Sequence, residues 1–366
     1  MSPRVVLVTG VSRYLAALLA SRLAADSRID RVIGVDVVEP AGELVAMLGR
    51  AEFVRADISS PVIAQLIRDA AVDTVAHLAV VAGPAGAGGR DAMKELNVIG
   101  TLQLLAACQA CSTVQRIIVR SSTAAYGASA RDPAIFTEDT ALRALPRGGY
   151  AKDIVEIEGY VRGYRRRRPD SVVTVLRFAP FVGSHADTTL TRYFSLPVVP
   201  TVLGRDPRVQ FVHADDAVEV LRRSVLEHHP GDFNVAGPGV LLLSQAIRRA
   251  GRVPLPVPDP GMTAVAWLAK RSGMVDFSLD QLDFLMHGRV VDVQRLVEGF
   301  GFRPRSTPAA FDDFIRGHDI GAPVSSAGVD DVERLLLTGG RALLSGVRKL
   351  ARDYRTYEQQ AREGDR

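Results

Sequence analysis

The chain has 366 residues, room for two ordinary domains or for one large α/β domain with an appendage. Hydrophobic residues make up 47%, charged residues 23% and aromatics 6%, and the 32 glycines and 20 prolines follow no period. That composition excludes wholesale disorder, collagen-like repeats and low-complexity sequence. The net charge is only +4, from 45 basic against 41 acidic residues, with the basic residues spread among acids, so a nucleic-acid partner is not expected.

Short apolar, β-branched runs at 5–9, 32–36, 53–56, 74–78, 117–121 and 172–177 predict strands. Between them, 14–25, 60–70, 91–110 and 150–167 carry apolar residues at helical spacing. Near-continuous apolar strands separated by helices predict a parallel sheet covered on both faces. Right-handed crossovers then give a doubly wound α/β sheet, with its ligand crevice at the carboxyl ends of the strands. Residues 1–177 form this first domain. From 178 to 317 the pattern becomes irregular and proline-punctuated, predicting a smaller substrate lobe interleaved with returns to the sheet. Residues 318–366 read as a linker and two C-terminal helices, the last with Leu343, Val347, Leu350 and Tyr354 on one stripe. That stripe suits a docking helix better than a membrane-surface contact. The longest charge-free window, 96–115, holds Asn97, Gln103, Gln109 and Gln115, too polar to span a bilayer. With no cleavable signal pattern at the start, a cytoplasmic location is expected.

The first strand runs into Thr9-Gly10 and then a helix, where a dinucleotide-binding turn belongs. Glycine allows the tight turn, and the amides at the helix start can face a pyrophosphate. The further glycines of such turns are replaced: Arg13 and Ala16 in one frame, Tyr14 and Ala16 in the other. A side chain then stands where backbone would approach phosphate, and Arg13 is placed to touch the phosphates itself. Tyr14 and Leu15 complete the expected turn. Asp36 closes the second strand 26 positions beyond Gly10, where a carboxylate accepts hydrogen bonds from a ribose diol and repels a 2′-phosphate. NAD is therefore expected rather than NADP.

Further motifs follow in order: Asp57-Ile58, His77-Leu78-Ala79, 97–101 (NVIGT), 121–127 (SSTAAYG), Leu176-Arg177, 211–216 (FVHADD) and Phe233-Asn234-Val235. With them, from Val5 to about Pro304, the chain resembles the NAD-dependent epimerase/dehydratase family of extended short-chain dehydrogenases/reductases, which are Rossmann-fold proteins. More narrowly, it resembles arginine-rich actinobacterial members described as UDP-glucose 4-epimerases. The resemblance implies an isomerase or oxidoreductase that binds NAD and a nucleotide-sugar or similar small molecule, and leaves a homodimer open. It also implies that Asp57 and Ile58 flank the adenine, that Leu78 and Ala79 line the cofactor channel, and that Asn97 is a structural or active-site residue.

The family's chemistry uses a Tyr with a Lys four residues later on the same helix face, and a Ser or Thr that polarises the substrate oxygen. Ser122 matches the last of these. Lys152, one of only four lysines (Lys94, Lys152, Lys270, Lys349), matches the Lys, because Glu156 follows at K-x-x-x-E spacing. Four residues before Lys152 stands Gly148, not Tyr. Tyr150 lies two before, about 200° around a helix, off the shared face. If Tyr150 is instead the family Tyr, its Lys position holds Ile154. The catalytic tyrosine is thus absent or displaced, and weak activity is expected from Ser122, Lys152 and Tyr150. Thr123-Ala124 in place of Asp-Glu argues against sugar dehydration, and Pro180 replaces an Asn that helps hold the nucleotide-sugar. Thr123 and Arg208 remain the substrate candidates. Cys108 and Cys111 read as small core thiols rather than metal ligands, and no metal site is expected. The alternative function is a non-catalytic dinucleotide- or metabolite-binding descendant of the family.

Overall fold

The protein, a computed structural model, is described over residues 4–83, 88–141, 149–258, 279–318 and 320. The strands are β1 (Val5–Thr9), β2 (Arg31–Asp36), β3 (Glu52–Arg55), β4 (Thr74–His77), β5 (Arg116–Ser122), β6 (Val172–Phe178), β7 (Phe181–Val182), β8 (Val198–Val202), β9 (Arg208–Val209), β10 (Val212–His213), β11 (Gly231–Val235), β12 (Leu241–Leu242) and β13 (Val253–Val257). The helices are α1 (Tyr14–Ala24), α2 (Glu43–Leu48), α3 (Val62–Asp69), α4 (Arg90–Lys94), α5 (Gly100–Gln109), α6 (Gly149–Arg167), α7 (Thr189–Ser195), α8 (Ala214–Leu226), α9 (Leu243–Arg249), α10 (Leu279–His287), α11 (Gln294–Phe300) and α12 (Thr307–Gly317). A wider π turn, Glu95–Ile99, joins α4 to α5.

Seven strands form one sheet in the order β11-β6-β5-β4-β1-β2-β3, every neighbouring pair parallel. The doubly wound sheet expected from the alternating pattern is therefore present. The chain leaves β1 toward β2 on one side and returns to β4 on the other, so the topological switch lies between β1 and β4. There the βα loops diverge and open a crevice at the strands' carboxyl ends. Helices cover both faces, which is why β1, with Val6, Leu7 and Val8 fully buried, carries no polar alternation. One face packs α1 and α8, with Leu19, Leu23, Val220 and Leu221 fully buried. The other packs α3, α5 and α6 through Ile67, Leu104, Ile154 and Ile157. Each such aliphatic side chain contributes about 1.5–3 kcal/mol on burial.

After Phe178 the chain builds the second lobe from three two-stranded pairs, β7 with β10, β9 with β12 and β8 with β13, and returns once to the main sheet as β11. Its core is aromatic: Phe211 stacks on Phe311 with centroids 5.4 Å apart, and Phe194 meets Phe311 edge-on at 4.9 Å. Phe311 and Phe314 place α12 inside this core. The helices expected within 321–366 lie outside the described residues. Among the described residues no helix is long and apolar enough to cross a membrane.

Candidate functional site

At the end of β1, Gly10 turns the chain with φ +85°, and its amide donates to the Val35 carbonyl at 2.8 Å. A Cβ there would lie 3.0 Å from both Cα and N of Ala79, main-chain atoms that cannot swing aside. Glycine is needed both for the turn and for the close approach of the loop after β4. The loop is fastened to β2 by Asp36, one of whose oxygens accepts from the Ser12 amide at 3.0 Å and the Ser12 hydroxyl at 2.6 Å. The other accepts from the Val37 amide at 2.8 Å. Arg13 then starts α1 with extended backbone, and burial, with Arg120 nearby, pulls its pKa down while Asp36 pushes it up. The carboxylate, the glycine turn and the open start of α1 fit the adenosine-ribose half of a dinucleotide.

A buried chain of hydrogen bonds holds the floor. The Thr9 hydroxyl accepts from the amides of Leu78 and Ala79, both at 3.1 Å, so its own proton goes to Nδ1 of His77 at 2.9 Å. The Nε2 proton of His77 then goes to Thr101 at 2.8 Å, and Thr101 donates to the Asn97 carbonyl at 2.5 Å. This fixes a neutral imidazole, and burial, with Arg120 nearby, pushes its pKa down to about 4. Asn97, fully buried on the π turn, accepts from the Val81 amide at 2.8 Å and donates to the Val81 carbonyl at 2.9 Å. It donates also to Asp153, which Arg90 clamps through two bonds of 2.6 and 2.7 Å. Asn97 thus shapes the crevice floor through main chain.

The crevice itself has a volume of about 400 Å³. Its walls come from Arg13, the loop after β4 (Val80 to Gly83), the end of β5 (Arg120, Ser121, Ser122, Ala124), Tyr150 on α6 and the turn after β6 (Phe178 to Phe181). The second lobe closes it with Asp187, Thr188, Thr189, Leu190, Arg192, Gln281, Phe284 and Arg289. Ser122 caps the short turn that follows β5, its Oγ accepting the Ala124 amide at 3.1 Å. That bond occupies the oxygen and leaves the hydroxyl proton for a ligand oxygen.

Some expected site residues are brought together and others are not. Ser122 and Tyr150 wall the same crevice. Lys152 does not: it is exposed and absent from the wall, about 200° around α6 from Tyr150. Ile154, one turn beyond Tyr150, is fully buried in the core. Of the two glutamates, Glu158 rather than Glu156 joins the buried network, pairing with Arg177 at 2.7 Å and accepting from Ser121 at 2.6 Å. Thr123 is 2% exposed and does not line the crevice; Ala124 does. Arg208, exposed on β9, donates to the Ala134 carbonyl at 2.7 Å and lines a second cavity of about 420 Å³. Leu78 and Ala79 are buried behind the wall, and Ile58 is buried against Gly100. Asp57 is exposed and caps its own turn through the Ser59 amide and hydroxyl. Tyr14 tilts against His185 with ring centroids 5.7 Å apart, and Leu15 packs on the core below. Gly148 lies outside the described residues. Arg120, Arg289 and the 187–192 segment are wall residues that sequence reasoning missed. A lone arginine near the end of an apolar strand was the one available signal for Arg120.

Two remaining sequence features are structural. Cys108 and Cys111 are buried free thiols, and burial pushes Cys108 up to about 12. Arg168 follows α6 and donates to the carbonyls of Cys108 and Cys111 at the end of α5, and to Val114.

The sequence profile of the NAD dependent epimerase/dehydratase family matches residues 6–236. An uncharacterized protein of Mycobacterium tuberculosis is 46% identical over 319 residues, 87% of this chain and 85% of its own. Among solved structures, a UDP-glucose 4-epimerase from Thermotoga maritima with UDP-glucose aligns over 86% of this chain and 98% of its own, at 18% identity and TM-score 0.67. A UDP-glucuronic acid 4-epimerase from Bacillus cereus in complex with NAD covers 87% of this chain and 100% of its own, at 18% identity and TM-score 0.63. Those two likenesses concern the fold. The chain belongs to the NAD dependent epimerase/dehydratase family.

Proposed function

We propose, from that membership and the walls of the crevice, that this protein binds NAD and works slowly on a nucleotide-sugar or similar polar substrate. The observation that carries the reading is that Ser122 and Tyr150 wall one crevice beside the Gly10 turn. Gly10, Arg13 and Asp36 would hold the dinucleotide, with Asp36 on the adenosine ribose and the start of α1 facing the pyrophosphate. Asp36 would also stand beside a 2′-phosphate, so like-charge repulsion favours NAD over NADP. When bound, NAD supplies a hydride acceptor and donor.

Within the protein, the Ser122 hydroxyl donates to the substrate oxygen and the Tyr150 hydroxyl is the proton-transfer group. The buried pairing of Glu158 with Arg177 supports a register in which counting back four gives Ile154, and four more gives Tyr150. Tyr150 is then the family tyrosine in place, with an aliphatic side chain where the lysine belongs. Proton transfer proceeds without the ammonium, and slow turnover follows. The same Ile154, with Lys152 turned outward, also favours the second reading, a protein that holds the dinucleotide without turnover.

Turnover of UDP-glucose and UDP-galactose by full-length protein separates the two readings. Tyr150→Phe should lower any turnover by roughly 10²–10⁴, whereas Lys152→Ala should leave it within about twofold. Strong loss on Lys152→Ala with none on Tyr150→Phe would restore the register that sets Gly148 opposite Lys152. No turnover with intact NAD binding would establish the binding-only reading.

A further inference from the structure

Arg120 and Ser122 are two residues apart on β5, so both project from the same face of the strand, about 6.6 Å apart along it. Both line the crevice. One terminal nitrogen of Arg120 donates to the Val80 carbonyl at 2.8 Å, and its guanidinium lies 5.3 Å over the Phe181 ring. Its Nε is buried without a hydrogen-bond partner. Among the described residues neither Arg120 nor Arg13 has a carboxylate at ion-pair distance. The acids nearby are already engaged. Asp36 is held by Ser12, and Asp187 takes both its bonds, of 2.5 and 2.6 Å, from Arg192. Arg289, which donates to the Gly127 carbonyl at 2.7 Å, adds another guanidinium to the wall. Among the described residues of the wall the one carboxylate, Asp187, is thus committed to Arg192, while Arg13 and Arg120 have none at ion-pair distance.

A guanidinium fastened by one nitrogen to a main-chain carbonyl and stacked on an aromatic ring is oriented before any ligand arrives. Its remaining donors suit a planar or tetrahedral oxyanion. Arg13 reinforces the site: the proximity of Arg120 is one of the influences that lower its pKa, so the two cations share one field. Like charges held together on the wall of a cavity are relieved by an anion between them.

We propose that Arg120, backed by Arg13, is an anion receptor on the Ser122 face of the crevice, which takes a carboxylate or phosphate group of the ligand. The inference rests on the proposed function only in using the same crevice, and it adds the ligand's charge. The oxyanion can come from the substrate, as the carboxylate of an acidic sugar, or from the dinucleotide, as its pyrophosphate.

Calorimetric titration of full-length protein separates these sources. UDP-glucuronic acid, UDP-glucose, NAD and inorganic pyrophosphate are the probes, and wild type, Arg120→Gln and Arg120→Lys the proteins. Glutamine keeps a donor for the Val80 carbonyl, and thermal melts check that each variant folds. With a substrate carboxylate, wild type prefers UDP-glucuronic acid over UDP-glucose by roughly tenfold or more. That preference disappears in Arg120→Gln and partly survives in Arg120→Lys. With a dinucleotide phosphate, the two sugars bind alike, and Arg120→Gln weakens NAD and pyrophosphate by roughly tenfold, with a shallower dependence on salt. Either pattern supports the receptor. Folded Arg120→Gln with every affinity and salt slope unchanged would overturn it and leave Arg120 a strut for Val80. If wild type binds no NAD while Arg120 still governs UDP-glucuronic acid, the NAD reading fails and this one stands.

Discussion

His77 gives the crevice floor a pH-dependent stability. It is fully buried, with Thr9 donating to one ring nitrogen and Thr101 accepting from the other, so the folded protein holds it neutral and its pKa falls from 6.5 to about 4. In the unfolded chain the ring takes its proton near pH 6.5. The folded pKa is the lower one, so the contribution is fully present above pH 6.5 and is lost as pH falls toward 4. Over that interval the unfolded state binds a proton that the folded state refuses. The 2.5-unit difference, at 1.36 kcal/mol per unit, amounts to about 3 kcal/mol. Asp26, held at about 2 by its bonds to Arg28, loses its contribution lower, below its ordinary 3.8, so the two windows separate. Urea denaturation of wild type and His77→Gln between about pH 7.5 and 4 reads the effect. The variant lacks the titration but loses a buried hydrogen bond, so it starts about 1–3 kcal/mol less stable. The stability difference should shift by about 3 kcal/mol in the variant's favour as pH falls from 6.5 to 4, bringing it level with or above wild type. Parallel curves would refute a neutral, doubly bonded imidazole.

Gly10→Ala should destabilise by about 1–2 kcal/mol for the positive φ alone, and more for the 3.0 Å contacts with Ala79, lowering the melting temperature and dinucleotide affinity together. Unchanged melting and affinity would mean that the loop after β4 yields freely. Glu158→Gln leaves Arg177 buried without its counter-charge, and a loss of about 3–5 kcal/mol in urea denaturation is expected. A loss below about 1 kcal/mol would show that Asp232, 3.3 Å from Arg177, suffices.

What the sequence disclosed depended on whether burial left a pattern along the chain. Six of the seven strands of the main sheet were legible because covered strands leave largely apolar, β-branched runs, as at 5–9 and 172–177; β11, with the sequence GDFNV, leaves no such run. Asp36 and Ser122 were legible because each ends a strand at a fixed distance from a recognisable turn. Helix α2 was not, since only Leu48 of it is buried and no stripe forms. The two-residue strands of the second lobe are too short for any period. The register of α6 was ambiguous for a different reason. Glu156 stands four residues beyond Lys152, whereas the glutamate that contacts Ser121 and Arg177 is Glu158, eight beyond Tyr150, and no spacing along the chain discloses that contact. Arg120 drew no notice beside Arg13 because the two are distant in sequence and become neighbours only when β5 and the β1 loop meet at the crevice.

The central claim, that this crevice holds NAD by its Asp36 side, is tested most directly by calorimetric titration of wild type and Asp36→Ala with NAD and NADP. The expected result is saturable binding at one site per chain, with NAD preferred by wild type and the preference removed in Asp36→Ala. No binding of either dinucleotide, or tighter binding of NADP by wild type, would contradict it.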